Sequence, residues 1–201
     1  MSLDAVRFWD EHYRLPRPGR VNPVLAEIAA DLAPGTALDL GCGAGGDALW
    51  LASRGWQVTA VDISANAVRR LAEHAQGLTL QARRVDLAED FPEGSFDLVS
   101  AQYFHTPFAL SRPRVLRTAA HAVSVDGLLV VVDHGSTAPW SWHQDPDIRY
   151  PTPDEVAAEL ALDPARWRVE RADMPRRHAS GPDGQTATVV DNVLVIRRTA
   201  R

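Results

Sequence analysis

Cysteine is almost missing from this sequence: Cys42 stands alone among 201 residues. No internal disulfide can form, and the paired cysteines of a C-x-x-C metal site are excluded. Long apolar runs are missing too, since the longest, Gly127 to Val132, is far too short to span a bilayer. The opening residues, MSLDAVRFWDEHYR, have no apolar signal-peptide core, so a cytoplasmic protein without a membrane partner is expected. Positive charge is in deficit, with 21 basic against 26 acidic residues and a net charge of −5. Like charges never run to five or more, and no repeat or low-complexity stretch occurs. Counterion release offers an acidic chain little, so no nucleic-acid partner is expected.

What is present suits one globular domain: 201 residues, 45% hydrophobic and 23% charged. Apolar residues from Val6 to Tyr13 suggest a short N-terminal helix, and a second follows from about Pro23 to Leu32. Buried strands then alternate with helices. ALDL (37–40) reads as a strand, Asp47 to Arg54 as a helix, WQVTAVD (56–62) as a strand and Ala65 to Ala75 as a helix. Strands at 78–85 and 96–102, a helix around Arg112–Val123 and a strand at 127–133 continue the pattern. Such alternation indicates βαβ units and a parallel sheet. After a helix at about Pro153–Leu160, strands at 166–174 and 188–198 have no helix between them and pair as an antiparallel hairpin.

The stretch LDLGCGAGGDALWL (38–51) contains G-x-G-x-x-G at Gly41, Gly43 and Gly46, with an acid about twenty residues on at Asp62. That is the dinucleotide fingerprint read literally. Charge argues otherwise. Asp39 precedes the glycines and Asp47 follows them. A pyrophosphate beside Asp39 would meet a like charge, repelling by roughly 4 kcal/mol at 4 Å and an effective dielectric of 20. A nucleoside carrying an ammonium and a sulfonium, with no phosphate, favours acids at these positions. S-adenosylmethionine is such a ligand, with Asp62 placed for the ribose hydroxyls and Asp86 for the adenine amine.

DLGCGAG, then VTAVDIS, then VDLAEDFPEGSFDLVSAQ resemble the cofactor motifs of class I S-adenosylmethionine-dependent methyltransferases, densely over about residues 36–102. FWDEHYR and LGCGAGGDALWLASRGWQVTAVD look most like compact bacterial enzymes of the tellurite-resistance and thiopurine methyltransferase type. The resemblance implies an α/β, Rossmann-like fold: a mostly parallel seven-stranded sheet with a C-terminal antiparallel hairpin and helices on both faces. It implies a single domain over 1–201, residues 1–34 covering the cofactor crevice. It also implies S-adenosyl-L-methionine as cofactor and S-adenosyl-L-homocysteine as product. Carried over, Asp39 lies near the methionine moiety, and Gly41, Cys42, Gly43 and Gly45 line the backbone approach. Asp62 and Ile63 take the ribose and adenine face, Asp86 and Leu87 the adenine edge, and Gln102 the end of the fourth strand. Residue by residue, blander roles stand beside these: Asp47 complements a helix dipole, Cys42 packs rather than attacks, and Asp62 and Asp86 form turns.

Methyl transfer from a sulfonium is a direct displacement, so the protein mainly aligns the reactants and excludes water. An oxygen or nitrogen acceptor can need a base, for which histidine suits. His105 and His134 follow the fourth and fifth strands and are the catalytic candidates; capping a loop is the plainer role for each. A metal site from His105, Asp133, His134 and His143 lacks tight ligand spacing, and no metal is expected. The loop GSTAPWSWHQDPDIRYPTP (135–153) is aromatic and long, either a lid or cover for the core. Trp140 and Trp142 in it, with Trp9 and Tyr13 in the first helix, are the candidate acceptor contacts. Arg176, Arg177 and His178 read as a solvated hairpin end. The place after the fourth strand reads AQYFHTP, without the [DNS]-P-P-[YFW] run of many amino-group methyltransferases. A small-molecule acceptor is therefore expected, with the chain a monomer or homodimer. The rivals are a nicotinamide-dependent oxidoreductase and a non-catalytic S-adenosylmethionine-binding module, with a nucleic-acid or protein methyltransferase third.

Overall fold

The structure, a computed structural model, describes residues 3–15, 19–141, 144–145 and 147–200. In chain order the elements are α1 (Leu3–His12), α2 (Pro23–Ala30), β1 (Thr36–Leu40), α3 (Gly46–Ser53), β2 (Gln57–Asp62), α4 (Ala65–His74) and β3 (Leu80–Arg84). They continue with β4 (Phe96–Gln102), α5 (Arg112–His121), β5 (Val123–His134), α6 (Pro153–Leu160), β6 (Trp167–Asp173), β7 (Arg176–Ser180) and β8 (Thr186–Arg198). No helix among the described residues is long and apolar enough to cross a membrane.

The sheet runs β3-β2-β1-β4-β5-β8-β6, parallel from β3 to β5, with β8 antiparallel to both neighbours. Strand order reverses between β1 and β4, which opens a crevice outside their carboxyl ends. Alternation along each central strand feeds two cores, because successive side chains leave opposite faces of the sheet. Leu38, Leu40, Leu129 and Val131 pack with Val115 and Leu116 of α5 and Val156 and Leu160 of α6. Ala37, Leu98, Val130 and Val132 pack on the other face, with Leu25 of α2, Leu51 of α3 and Leu71 of α4. Helix starts follow the local chemistry: Asn22 caps α2, Ser64 caps α4, and Thr152 with Glu155 forms a reciprocal capping box on α6.

The hairpin is larger than the sequence pattern predicts, and the sheet has eight strands rather than seven. The 166–174 and 188–198 segments do pair, as β6 and β8, but β7 also bonds to β8, from Arg176 against Val190 to Ser180 against Thr186. The turn GPDG closes β7 onto β8, with the Gly181 N–H donating to the Gln185 carbonyl at 2.7 Å. RRHAS hides as a strand because it carries almost no apolar residue to alternate and is half exposed. Backbone pairing holds it, which the hydrophobic pattern does not record.

Candidate functional site

The glycine loop leaves the end of β1 in a left-handed backbone at Gly41 (φ 67°) and Gly43 (φ 50°). Only glycine adopts this freely. Space imposes the same choice: a Cβ on Gly41 would fall 2.8 Å from the Phe104 ring, and one on Gly43 would fall 2.5 Å from the Tyr13 hydroxyl. Cys42 is buried and holds the loop by its backbone, donating to the Val61 carbonyl at 3.0 Å and accepting from Gly45 N–H at 2.8 Å. Burial first, then Asp62 and Asp39, push its thiol well up, which suits packing rather than attack.

Three acids surround this loop. Asp39 is buried on β1, and its Oδ2 has no hydrogen-bond partner among the described residues. Burial, then Asp47 and Asp62, raise its carboxyl well above the usual range. Asp62, at the end of β2, accepts the Gly43 N–H at 2.9 Å and the Ser64 N–H at 2.8 Å, yet burial still raises it. Asp47 sits in the first turn of α3, where its Oδ1 accepts the Asn22 N–H at 2.6 Å. Burial raises that carboxyl to about 6. Asp47 thereby fastens the 19–22 segment over the glycine loop, a tie the sequence did not disclose.

Two hollows share this floor. One, of about 80 Å³, is lined by Asp62, Ile63, Val85 and Leu87 below, by Trp9 and Tyr13 of α1 above, and by Phe104 and His105 at the side. The other, of about 400 Å³, runs along the glycine loop past Asp39 and Gln102 to Arg177. Tyr13, Gly41 and Tyr103 border both. Gln102, which also borders the larger hollow, has in Oε1 a second buried acceptor without a partner among the described residues. Two unsatisfied acceptors among raised carboxylates fit an ammonium or sulfonium and repel a pyrophosphate. Asp86 is half-buried between Val85 and Leu87 and accepts the Ala88 N–H at 3.0 Å.

Helix α1 is strapped across the opening. Asp10 accepts from Ser64 Oγ at 2.8 Å and Asn66 N–H at 3.2 Å, and Asn66 returns a bond to the Asp10 carbonyl. On the other side Trp9 donates to Thr106 Oγ1 at 3.3 Å, and Phe8 meets Phe108 edge-on.

Beyond β4 and β5 the two histidines lie together, ring centroids 6.2 Å apart and nearly parallel. His105 lines the smaller hollow, and its Nε2 is 3.1 Å from Asp133 Oδ1. His134 stacks on Tyr103 at 4.4 Å and meets Tyr150 edge-on. Burial and then His105 lower its pKa. Trp140 packs against Gly181 of the β7–β8 turn and lines neither hollow. Trp142 lies outside the described residues.

Several residues at this end were passed over in the sequence. Arg112 holds both oxygens of buried Asp133 at 2.6 Å. Asp191, also buried, accepts from Arg177 Nε at 2.6 Å and from the Tyr103 hydroxyl at 3.0 Å. Arg177 therefore turns inward, correcting its reading as part of a solvated hairpin end, because alternation on β7 points it at Asp191 while Arg176 and His178 face out. Tyr103 has φ 50°, a strained setting for an aromatic residue. Its hydroxyl sits between Asp191 and Arg177, and burial first raises its pKa to about 12, so it stays a neutral phenol. Only the aromatic pair YF beside His105 hinted at this in the sequence.

Comparison with known proteins agrees with the crevice. Residues 37–127 match the family described as a methyltransferase domain. A ribosomal RNA small subunit methyltransferase C of Chromohalobacter salexigens is 32% identical over 160 residues, covering 77% of this chain and 45% of the relative. A ubiquinone biosynthesis O-methyltransferase of Pseudomonas paraeruginosa is 34% identical over 104 residues, covering 48% and 44%. The chain thus spans less than half the length of these curated relatives. Among solved structures, one from work on converting a disulfide bond into a thioacetal group in echinomycin biosynthesis superposes with a TM-score of 0.73 at 26% identity, covering 96% of this chain and 92% of that one. TehB from Haemophilus influenzae superposes at 0.68 and 18% identity, covering 96% and 67%, which is a likeness of fold. Residues 37–127 thus match a methyltransferase domain, and the fold resembles that of class I S-adenosylmethionine-dependent methyltransferases of the tellurite-resistance type.

Proposed function

We propose that the protein transfers the methyl group of S-adenosylmethionine to a small-molecule acceptor by direct in-line displacement, as one domain in which residues 1–34 cover the crevice. The observation that carries this reading is the strap of α1, which roofs the crevice with Trp9 and Tyr13 over the floor at Asp62 and so favours a small acceptor over a large one. Bound there, the cofactor supplies an electrophilic methyl on a positively charged sulfur. Asp39 and Gln102 hold its amino-acid end, Asp62 and Ile63 its ribose, and Val85, Asp86 and Leu87 its base. Trp9 and Tyr13 exclude water and, with His105, border the acceptor's approach. Among small molecules, the O-methyltransferase relative favours an oxygen acceptor.

A nucleic-acid acceptor is the second reading, favoured by the name of the ribosomal RNA methyltransferase relative. One experiment separates the two. Calorimetric titration with S-adenosylhomocysteine, with NADH and NADPH as controls, is expected to give micromolar binding of the first alone. Transfer of labelled methyl groups is then measured to a panel of phenols and thiols and to ribosomal RNA. Label on RNA alone would replace the small-molecule reading. Binding without transfer to anything would favour a non-catalytic module, and dinucleotide binding an oxidoreductase.

A further inference from the structure

We infer that Asp133 and Arg112 form a positioning pair that makes His105, and not His134, the base of the reaction, and that the acceptor is a hydroxyl compound. The inference rests on the small-molecule reading above. Asp133 lies at the carboxyl end of β5, 3% exposed, with Arg112 from the first turn of α5 bonded to both its oxygens at 2.6 Å. The same guanidinium donates Nε to the Phe104 carbonyl at 2.9 Å, which fixes the segment carrying His105. Asp133 Oδ1 lies 3.1 Å from Nε2, and because a carboxylate can only accept, this nearness favours the tautomer with the imidazole proton on Nε2. Nδ1 then keeps its lone pair, on a side chain that lines the hollow with Gly41, Asp62 and Tyr103.

His134 has a different setting. Its ring faces are engaged with Tyr103 and Tyr150, it lines neither hollow, and burial and His105 keep it neutral. It serves as packing between Tyr103 and Tyr150. The titratable and charged groups facing His105 are Asp133 and His134 of β5, Arg112 of α5, Tyr103 on its own segment, and Asp62 and Tyr13 across the hollow.

An oriented base matters only to an acceptor that must lose a proton during attack. A thiol already ionised near neutral pH has no use for one. For a hydroxyl acceptor the proton passes to Nδ1 as the oxygen bonds to the methyl carbon. The carbon–sulfur bond breaks with its electron pair going to sulfur. The imidazolium is left against Asp133 and returns its proton to water.

Asp133→Asn tests this with a distinctive sign. Arg112 can only donate, so it takes the amide oxygen and turns the NH2 toward His105. Nε2 must then accept, the proton moves to Nδ1, and the base is lost with little change in shape. Two-bond proton–nitrogen spectra of the nitrogen-15-labelled full chain with S-adenosylhomocysteine, with His105→Gln assigning the signal, are expected to report Nε2–H in the wild type and Nδ1–H in Asp133→Asn. Nδ1–H or a tautomer mixture in the wild type would overturn the inference even if the variant fails to fold. With catechol as probe, Asp133→Asn is expected to lower kcat about 100-fold or more with KM little changed. With 4-nitrothiophenol, ionised at the assay pH, the variant is expected to match the wild type. Equal losses on both probes, or wild-type turnover of the thiophenol alone, would also overturn it. Transfer to neither probe would count against the small-phenol reading, and the wild-type tautomer would then decide the positioning pair alone.

Discussion

Both halves of the sheet bury carboxylates at strand ends, and they treat them oppositely. On the β1–β2 side Asp39, Asp47 and Asp62 have no arginine or lysine paired to them among the described residues, and burial raises all three. On the β4–β5–β8 side each buried acid has its own arginine: Arg112 for Asp133 and Arg177 for Asp191. A buried charge costs free energy unless it is paired. The first half is therefore an unfinished structure that a cationic ligand completes, whereas the second is complete without one. On the proposed reading, the difference separates a surface that binds from a surface that positions.

The largest expected effect breaks the paired half. Arg112→Leu leaves Asp133 buried without its partner and should cost about 3–5 kcal/mol in urea unfolding. A loss below about 1 kcal/mol would mean that the pair is not the anchor described here. Next in size, Asp62→Ala removes the proposed ribose acceptor, and affinity for S-adenosylhomocysteine should fall by about 100-fold, from charge-assisted bonds of about 1.5–3 kcal/mol. Unchanged affinity in calorimetry would undo that assignment.

Sequence reading reached these halves unequally, and the reason is distance along the chain. The glycine loop, Asp39 and Asp62 were legible because strand, turn and acid follow one another locally; Gly43 N–H and Asp62 are 19 residues apart. The bond from Tyr103 to Asp191 spans 88 residues, and His105 reaches Asp133 over another long separation. No local pattern announces such pairs. Arg177 was misplaced for a related reason, since its orientation follows from a strand, β7, whose residues carry no apolar rhythm. The parallel strands were legible because burial on both faces makes them continuous apolar runs.

A third test sharpens the unpaired half through pH. Asp47 titrates near 6 in the folded protein, against about 3.9 for an ordinary carboxyl. Its folded form binds the proton more tightly, so ligand-free stability should rise by about 1–2 kcal/mol as pH falls from 7 to 5. His134 opposes this: its lowered pKa means that stability falls as pH drops through about 6.5. The contribution of Asp47 is therefore the difference between the wild type and Asp47→Asn in unfolding free energies measured across that range. No difference would place the Asp47 titration elsewhere. Smallest is the strap itself. Asp10→Ala removes two hydrogen bonds from α1 to the start of α4 and should cost about 1 kcal/mol, read as faster release of S-adenosylhomocysteine in stopped flow.

Strand β8 ties these observations to the order in which the molecule assembles. Its 13 residues lie between β5 and β6 and carry Asp191 to Tyr103. Contacts closed over short loops form early, and those closed over long loops wait for the larger entropy loss to be offset. The glycine loop and its acids can therefore take shape while the far wall is still open. A refolding chain is expected to order the glycine loop and its acids before β8 docks beside β5.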